Sequence, residues 1–145
     1  TLFRQTMFAE FEMLTHKEVE NGGVLTAEWM CKLYNDLNHQ YFGPALAPDE
    51  YIQYEWARIP HFYRAFYVYQ YATGYSAATA ISAKILAEGE AARKNYIEFL
   101  KSGSSNDPVE LLKIAGVDMS SPEPIRMAME TFKGLVEELE QLMQA

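Results

Sequence analysis

The chain has 145 residues, 49% of them apolar and 14% aromatic, which is enough for one helical or mixed domain with its own core. Its 20 acidic against 12 basic residues leave a net charge of -8, which disfavours a phosphate backbone and removes nucleic acid from the expected partners. A single cysteine, Cys31, permits no internal disulfide, no apolar run approaches the roughly 18 to 20 residues of a membrane span, and the first residues carry no basic-then-apolar signal pattern, so a soluble cytoplasmic protein is expected.

The chain opens on Thr1, already inside an amphipathic pattern, and reads as a piece of a longer polypeptide. Phe3, Met7, Phe11 and Leu14 recur at helical spacing, with Arg4, Glu12 and Lys17 in other sectors, so residues 1–20 are predicted as one amphipathic helix. Asn21, Gly22 and Gly23 tolerate the backbone that stops it. Thr26 is placed to cap a second helix with Met30, Tyr34, Leu37 and Tyr41 on its inner face, ended by Gly43, Pro44 and Pro48. A short helix is predicted over residues 49–56, broken near Pro60. Residues 61–88 hold no further proline and only Gly74 as a weak point, so they are predicted as the longest helix.

The second half of that helix, residues 72–83, is almost all Ala, Ser, Thr and Gly, which lets another helix approach closely and places it at the centre of a bundle. A helix over residues 89–101 follows, then a turn that ends in a cap and a proline opening a short helix at 108–115. Ser121-Pro-Glu123 starts the last helix. There Ile125, Met129, Phe132, Val136, Leu139 and Met143 alternate steps of four and three, a pattern that predicts one buried seam. No period-two alternation is long enough for a strand and no internal repeat occurs. The expected fold class is all-α, a bundle of five to seven helices forming a single domain over residues 1–145.

Aromatic residues crowd one segment. Tyr51, Tyr54, Trp56, Phe62, Tyr63, Phe66, Tyr67, Tyr69, Tyr71 and Tyr75 are half of the chain's Phe, Tyr and Trp. Each buried Tyr must find a partner for its hydroxyl or lose roughly 1 to 3 kcal/mol, so packing alone would favour Phe or Leu. On a continuous helix Tyr63, Tyr67, Tyr71 and Tyr75 share a polar-tipped stripe beside one made by Phe62, Phe66 and Tyr69, which is either a packing surface or a substrate-lining wall. His61 sits after Pro60 at the mouth of that helix, where the dipole favours a neutral ring able to donate one hydrogen bond. Glu12 and His16 are four apart on one helix face, but two ligands do not make a metal site, and a surface hydrogen bond or ion pair is the expected use; the same holds for His39. No His-Glu-x-x-His, glycine-rich phosphate loop or Ser, His and Asp set occurs, so the chain alone is expected to be inactive.

Phe3-Arg-Gln-Thr-Met-Phe-Ala-Glu-Phe-Glu12, Trp56-Ala-Arg-Ile-Pro-His-Phe-Tyr63 and Phe66-Tyr-Val-Tyr-Gln-Tyr-Ala-Thr-Gly74 together resemble the C-terminal region of oligoendopeptidase F, a thimet-oligopeptidase-like zinc metalloendopeptidase family. The resemblance covers essentially the whole chain and implies part of a larger helical metallopeptidase fold that cuts short peptides in a deep channel. It also implies zinc in the full-length enzyme, held by a His-Glu-x-x-His helix and a downstream Glu that precede the region matched here. What this stretch would contribute is the opposite wall of the cleft. The residues that match the oxyanion-donor position are His61 and Tyr63. Tyr54 and Tyr67 are implied to grip substrate backbone, and Arg58 either a substrate carboxylate or a structural Glu. A phenol or imidazole aimed at the developing charge is the chemistry such a wall supplies. The implied partners are short peptides and the missing N-terminal part of the same enzyme; the alternative is a free-standing helical module that grips a peptide or partner protein with its Tyr-rich face and performs no chemistry.

Overall fold

The computed structural model describes residues 1–47 and 49–144; Pro48, one of the expected helix stops, lies outside them. Among the described residues there are six α-helices and two short 3₁₀ segments and no strand, so the chain is all-α. Its contacts divide it into two compact units, Thr1–Ala72 and Thr73–Ala145.

In the first unit α1 runs over Leu2–Glu20 and buries Met7, Phe8, Phe11, Glu12 and Thr15. It stops where expected, because Gly22 takes φ +84°, a conformation that costs a residue without Cβ nothing. The helix α2 spans Ala27–Phe42, and the Thr26 hydroxyl accepts the Trp29 N–H at 3.2 Å, satisfying one of the free donors of its first turn. Gly43, at φ +72°, ends it. The helix predicted at 49–56 is instead a 3₁₀ segment, Ile52–Arg58, followed by a second one, Pro60–Tyr63. In 3₁₀ geometry side chains three apart eclipse, which stands Arg58 over Glu55, and the two form an ion pair. Met7, Phe8, Phe11, Tyr34, Leu37, Ile59 and Val68 are the buried core of this unit. Phe11 meets Tyr34 edge-on at 5.3 Å and Phe62 at 5.0 Å between ring centroids.

The long helix predicted over 61–88 is not continuous. After Tyr63 the chain is irregular to residue 68, and α3 begins only at Tyr69 and runs to Glu88. The cause is tertiary. Phe66 is held at φ +55° with its N–H donated to the buried Glu12 carboxylate at 2.5 Å, and Val68 is inserted completely into the core. A helix through these positions would break both contacts. Tyr63, Tyr67, Tyr71 and Tyr75 therefore do not share one helical stripe, and His61 is not at the start of an α-helix.

The second unit contains the remainder of α3, then α4 (Glu90–Ser102), α5 (Pro108–Ile114) and α6 (Glu123–Gln144). Ala77, Ala80 and Ile81 of α3 pack with Ala115 and Val117, so the small-residue stretch does face a core, as close approach requires. Asp107 caps α5 by accepting the Val109 N–H at 3.0 Å, with Pro108 at the first helical position. The seam predicted to be buried on α6 is not: Ile125, Met129, Phe132, Val136, Leu139 and Met143 are all exposed, and only Pro124 and Ala128 of this helix are buried. Period fixes which side chains share a face but not whether anything lies against it.

Candidate functional site

The irregular stretch between the second 3₁₀ segment and α3 carries the aromatic residues of interest. The His61 ring lies nearly parallel to that of Tyr67, 5.4 Å between centroids and 12° between planes, and edge-on to Tyr71 at 5.8 Å. Tyr67 and Tyr71 meet edge-on at 5.6 Å, which closes a cluster of three rings. Their polar tips converge: His61 Nε2 and Tyr71 Oη are 3.3 Å apart. The Tyr71 phenol is pushed above its ordinary pKa by its hydrogen bond with Tyr67, helped by partial desolvation, so it remains a protonated donor at neutral pH.

Tyr63 is 75% exposed and stands apart from this cluster, its hydroxyl donating to the Ala57 carbonyl at 3.1 Å. Tyr54 is also exposed and lines a different cleft of about 450 Å³ with Ala27, Glu28, Cys31, Lys32, Asn35 and Gln53. Arg58 is committed to Glu55. Of the five residues singled out by sequence, then, His61 and Tyr67 are brought together, Tyr63 is their near neighbour along the chain, and Tyr54 and Arg58 lie elsewhere.

Beneath the aromatic segment is a polar network that sequence reasoning reached only through Arg58, expected to hold either a substrate carboxylate or a structural Glu. Glu55 is buried, and its carboxylate accepts from Arg4 at 2.6 Å, from the fully buried Tyr34 hydroxyl at 2.7 Å, and from Arg58. Burial by itself would raise the Glu55 pKa, but the hydrogen bonds of Tyr34 and Arg4 and the charges of Arg4 and Arg58 outweigh it and hold the carboxyl below its ordinary value. Tyr34 is pushed up strongly, first by burial and then by Glu55. Arg4 also lies 4.8 Å over the Phe8 ring. The one sequence signal for this network was Glu55 three residues before Arg58. Tyr71 was visible as an aromatic, yet nothing in the spacing tied it to His61.

Among the described residues no three His, Cys, Asp or Glu side chains converge. Glu12 and His16 are otherwise engaged: the carboxylate takes the Phe66 N–H, and His16 Nδ1 is 2.7 Å from the Glu12 carbonyl oxygen. Glu12 is therefore a buried group, not the surface partner expected. His39 is exposed, its Nδ1 2.8 Å from the Asn35 carbonyl oxygen.

The sequence profile of peptidase family M3 matches residues 1–131, and the chain belongs to that family. Oligopeptidase PepF of Bacillus subtilis (strain 168) is 55% identical over 143 residues, 99% of this chain but 21% of that protein. The plasmid oligoendopeptidase F of Lactococcus lactis subsp. cremoris is 46% identical over 144 residues, 99% of this chain and 24% of that protein. The crystal structure of oligoendopeptidase-F from Enterococcus faecium superposes with a TM-score of 0.96 at 49% identity, covering 99% of this chain and 28% of that one. The chain thus spans between a fifth and a third of the length of the relatives it matches.

Proposed function

We propose that this chain is the part of a cytoplasmic zinc oligoendopeptidase that forms the cleft wall opposite the metal, where it binds short peptide substrates and stabilises the oxyanion of the tetrahedral intermediate. Among the described residues no side chains are grouped to hold zinc, and the proposal assigns the metal's ligands to polypeptide outside this chain, with the chain alone expected to be inactive. His61 and Tyr63 are the proposed donors. Tyr67 stiffens His61 by stacking and offers a phenol to substrate backbone, as Tyr54 does from its separate cleft; Arg58 acts through its ion pair with Glu55, holding the wall's shape.

The observation that carries this reading is the convergence of His61 and Tyr71 at 3.3 Å within a three-ring cluster that is rooted in the core by Val68 and Phe62, with Tyr67 exposed and His61 and Tyr71 half-buried. Stiff rings with protonated tips are what an oxyanion site needs, because donors already in place spend nothing on reorganisation when charge develops. At Tyr63 the hydroxyl proton is held only by the Ala57 carbonyl at an exposed position, and a carbonyl oxygen gaining negative charge competes well for it.

The test is made in the complete enzyme. Tyr63→Phe keeps the ring and deletes the donor, and an oxyanion donor is worth roughly 2.7 to 4 kcal/mol, or about a hundred- to a thousandfold in kcat. KM should change little, because the bond is made in the transition state. His61→Ala is run beside it. Full kcat in Tyr63→Phe with loss in His61→Ala assigns the donor to the imidazole, and full kcat in both refutes an oxyanion role for this wall.

A further inference from the structure

Phe66 is the only non-glycine residue with positive φ among the described residues, at +55°. A side chain with a Cβ resists that conformation, and it persists only where the surroundings over-determine it. What holds it is the Glu12 carboxylate, which lies 54 positions away in sequence and accepts the Phe66 N–H at 2.5 Å. Glu12 is 3% exposed, and among the described residues it makes no ion pair. His16, one turn further along α1, completes the grip: its Nδ1 is tied to the Glu12 carbonyl oxygen and its ring lies 4.5 Å from that of Phe66.

Burying a carboxylate without a cation is unfavourable, so its retention calls for a use. The chain on either side of Phe66 supplies one. The next residue, Tyr67, lays its ring on His61, and the one after it, Val68, is fully buried and anchors the entry to α3. The left-handed corner at Phe66 is what lets these consecutive residues face a surface ring and the core. With Phe66 relaxed to negative φ, Tyr67 would leave His61.

We propose that Glu12 is a positioning residue for the peptidase reaction: by holding Phe66 in the left-handed conformation from α1, it sets the His61, Tyr67 and Tyr71 cluster in its working geometry. This rests on the reading of that cluster as the oxyanion wall. Glu12 touches neither substrate nor reacting atoms; it acts through the backbone of the segment that carries them. A glutamine at position 12 still presents an amide oxygen to the Phe66 N–H, and a glycine at position 66 adopts positive φ without help.

These two substitutions make the test specific. In the complete enzyme, steady-state hydrolysis of a short peptide is measured for Glu12→Ala, Glu12→Gln, Phe66→Gly and Glu12→Ala combined with Phe66→Gly, with His61→Ala as reference. Glu12→Ala should lose at least about tenfold in kcat with KM within about twofold, since a misplaced catalytic group costs on the order of a hundredfold. Glu12→Gln should stay within about threefold of the parent, and Phe66→Gly should recover at least about threefold of what Glu12→Ala loses. An ordinary packing role would not be rescued by deleting a side chain. If Glu12→Ala does not fold, Glu12→Met, which fills the site but offers no acceptor to the Phe66 N–H, carries the same comparison alone and combined with Phe66→Gly. Parent-like kcat in Glu12→Ala beside an impaired His61→Ala overturns the positioning role alone. So does a loss in Glu12→Ala that Phe66→Gly fails to reduce. Parent-like kcat in His61→Ala overturns the oxyanion wall itself, and the positioning role with it.

Discussion

Replacing Tyr34 by Phe removes a single oxygen from the most deeply buried ring of the first unit, and the structure sets both the size and the pH dependence of the effect. The ring stays in place against Phe11, so no cavity term arises. What is lost is the 2.7 Å hydrogen bond to Glu55, a bond to a charged acceptor worth about 1.5 to 3 kcal/mol net. Glu55 retains Arg4 and Arg58, which keeps the cost toward the lower end of that range. Because the Glu55 carboxyl is held below its ordinary value in the folded state, it adds stability that is complete above the unfolded pKa of about 4.3 and lost as pH falls through the folded value. The deficit of Tyr34→Phe should accordingly be full near neutral pH and shrink below about pH 4. At the alkaline end the sign reverses for Tyr34 itself. Its raised pKa gives stability that is present below about pH 10 and lost as pH rises, and the variant lacks that loss, so the two curves converge there too. Urea unfolding followed by tryptophan fluorescence, from Trp56 next to Glu55 together with Trp29, reads the difference at each pH. A deficit below about 0.5 kcal/mol at neutral pH, or one that does not shrink at all as Glu55 is protonated in acid, would refute the network as described.

Two further outcomes follow from features of the isolated chain. Zinc added in stoichiometric amount should not survive dialysis against a weak chelator, because Glu12 and His16 are already engaged; retention measured by atomic absorption would reveal a site missed here. The exposed α6 seam, with Leu135 and Leu142 beside it, should bind a hydrophobic dye or drive self-association, and Leu139→Glu should reduce either signal in fluorescence or sedimentation.

The parts of the fold that local chemistry decides were legible in the sequence. Thr26 as a cap, Gly22 and Gly43 as stops, and Asp107 with Pro108 opening α5 all act within a few residues of themselves. The break between Tyr63 and Tyr69 was not legible, since its cause is a carboxylate on another helix and local propensity ran the other way. The error propagated to the site. On an unbroken helix Tyr71 belongs to the polar-tipped stripe but lies well off the side of His61, so nothing linked its hydroxyl to the imidazole, whereas the real chain path brings the two together. His61 and Tyr67 drew notice from residue type and context, which survive an error in backbone path. The α6 seam failed for the opposite reason: its period was right, but a repeat says nothing about what, if anything, lies against it.

Cys31 gives the first unit a built-in clock. It is the chain's one thiol and is buried on α2, with the Trp56 indole N–H pointing at its sulfur at 3.4 Å. Trp56 sits in the Ile52–Arg58 segment, so the sulfur is shielded by the same stretch that Glu55 ties down. Cys31 also borders the cleft that Tyr54 lines, so a thiol reagent approaches from that side and gains full access when the stretch lifts. The labelling rate, compared with that of a free thiol, then follows the opening of the segment leading to His61 on top of a basal rate through the cleft, in native conditions and without a substitution. Tryptophan quenching by the nearby sulfur would report the same event optically.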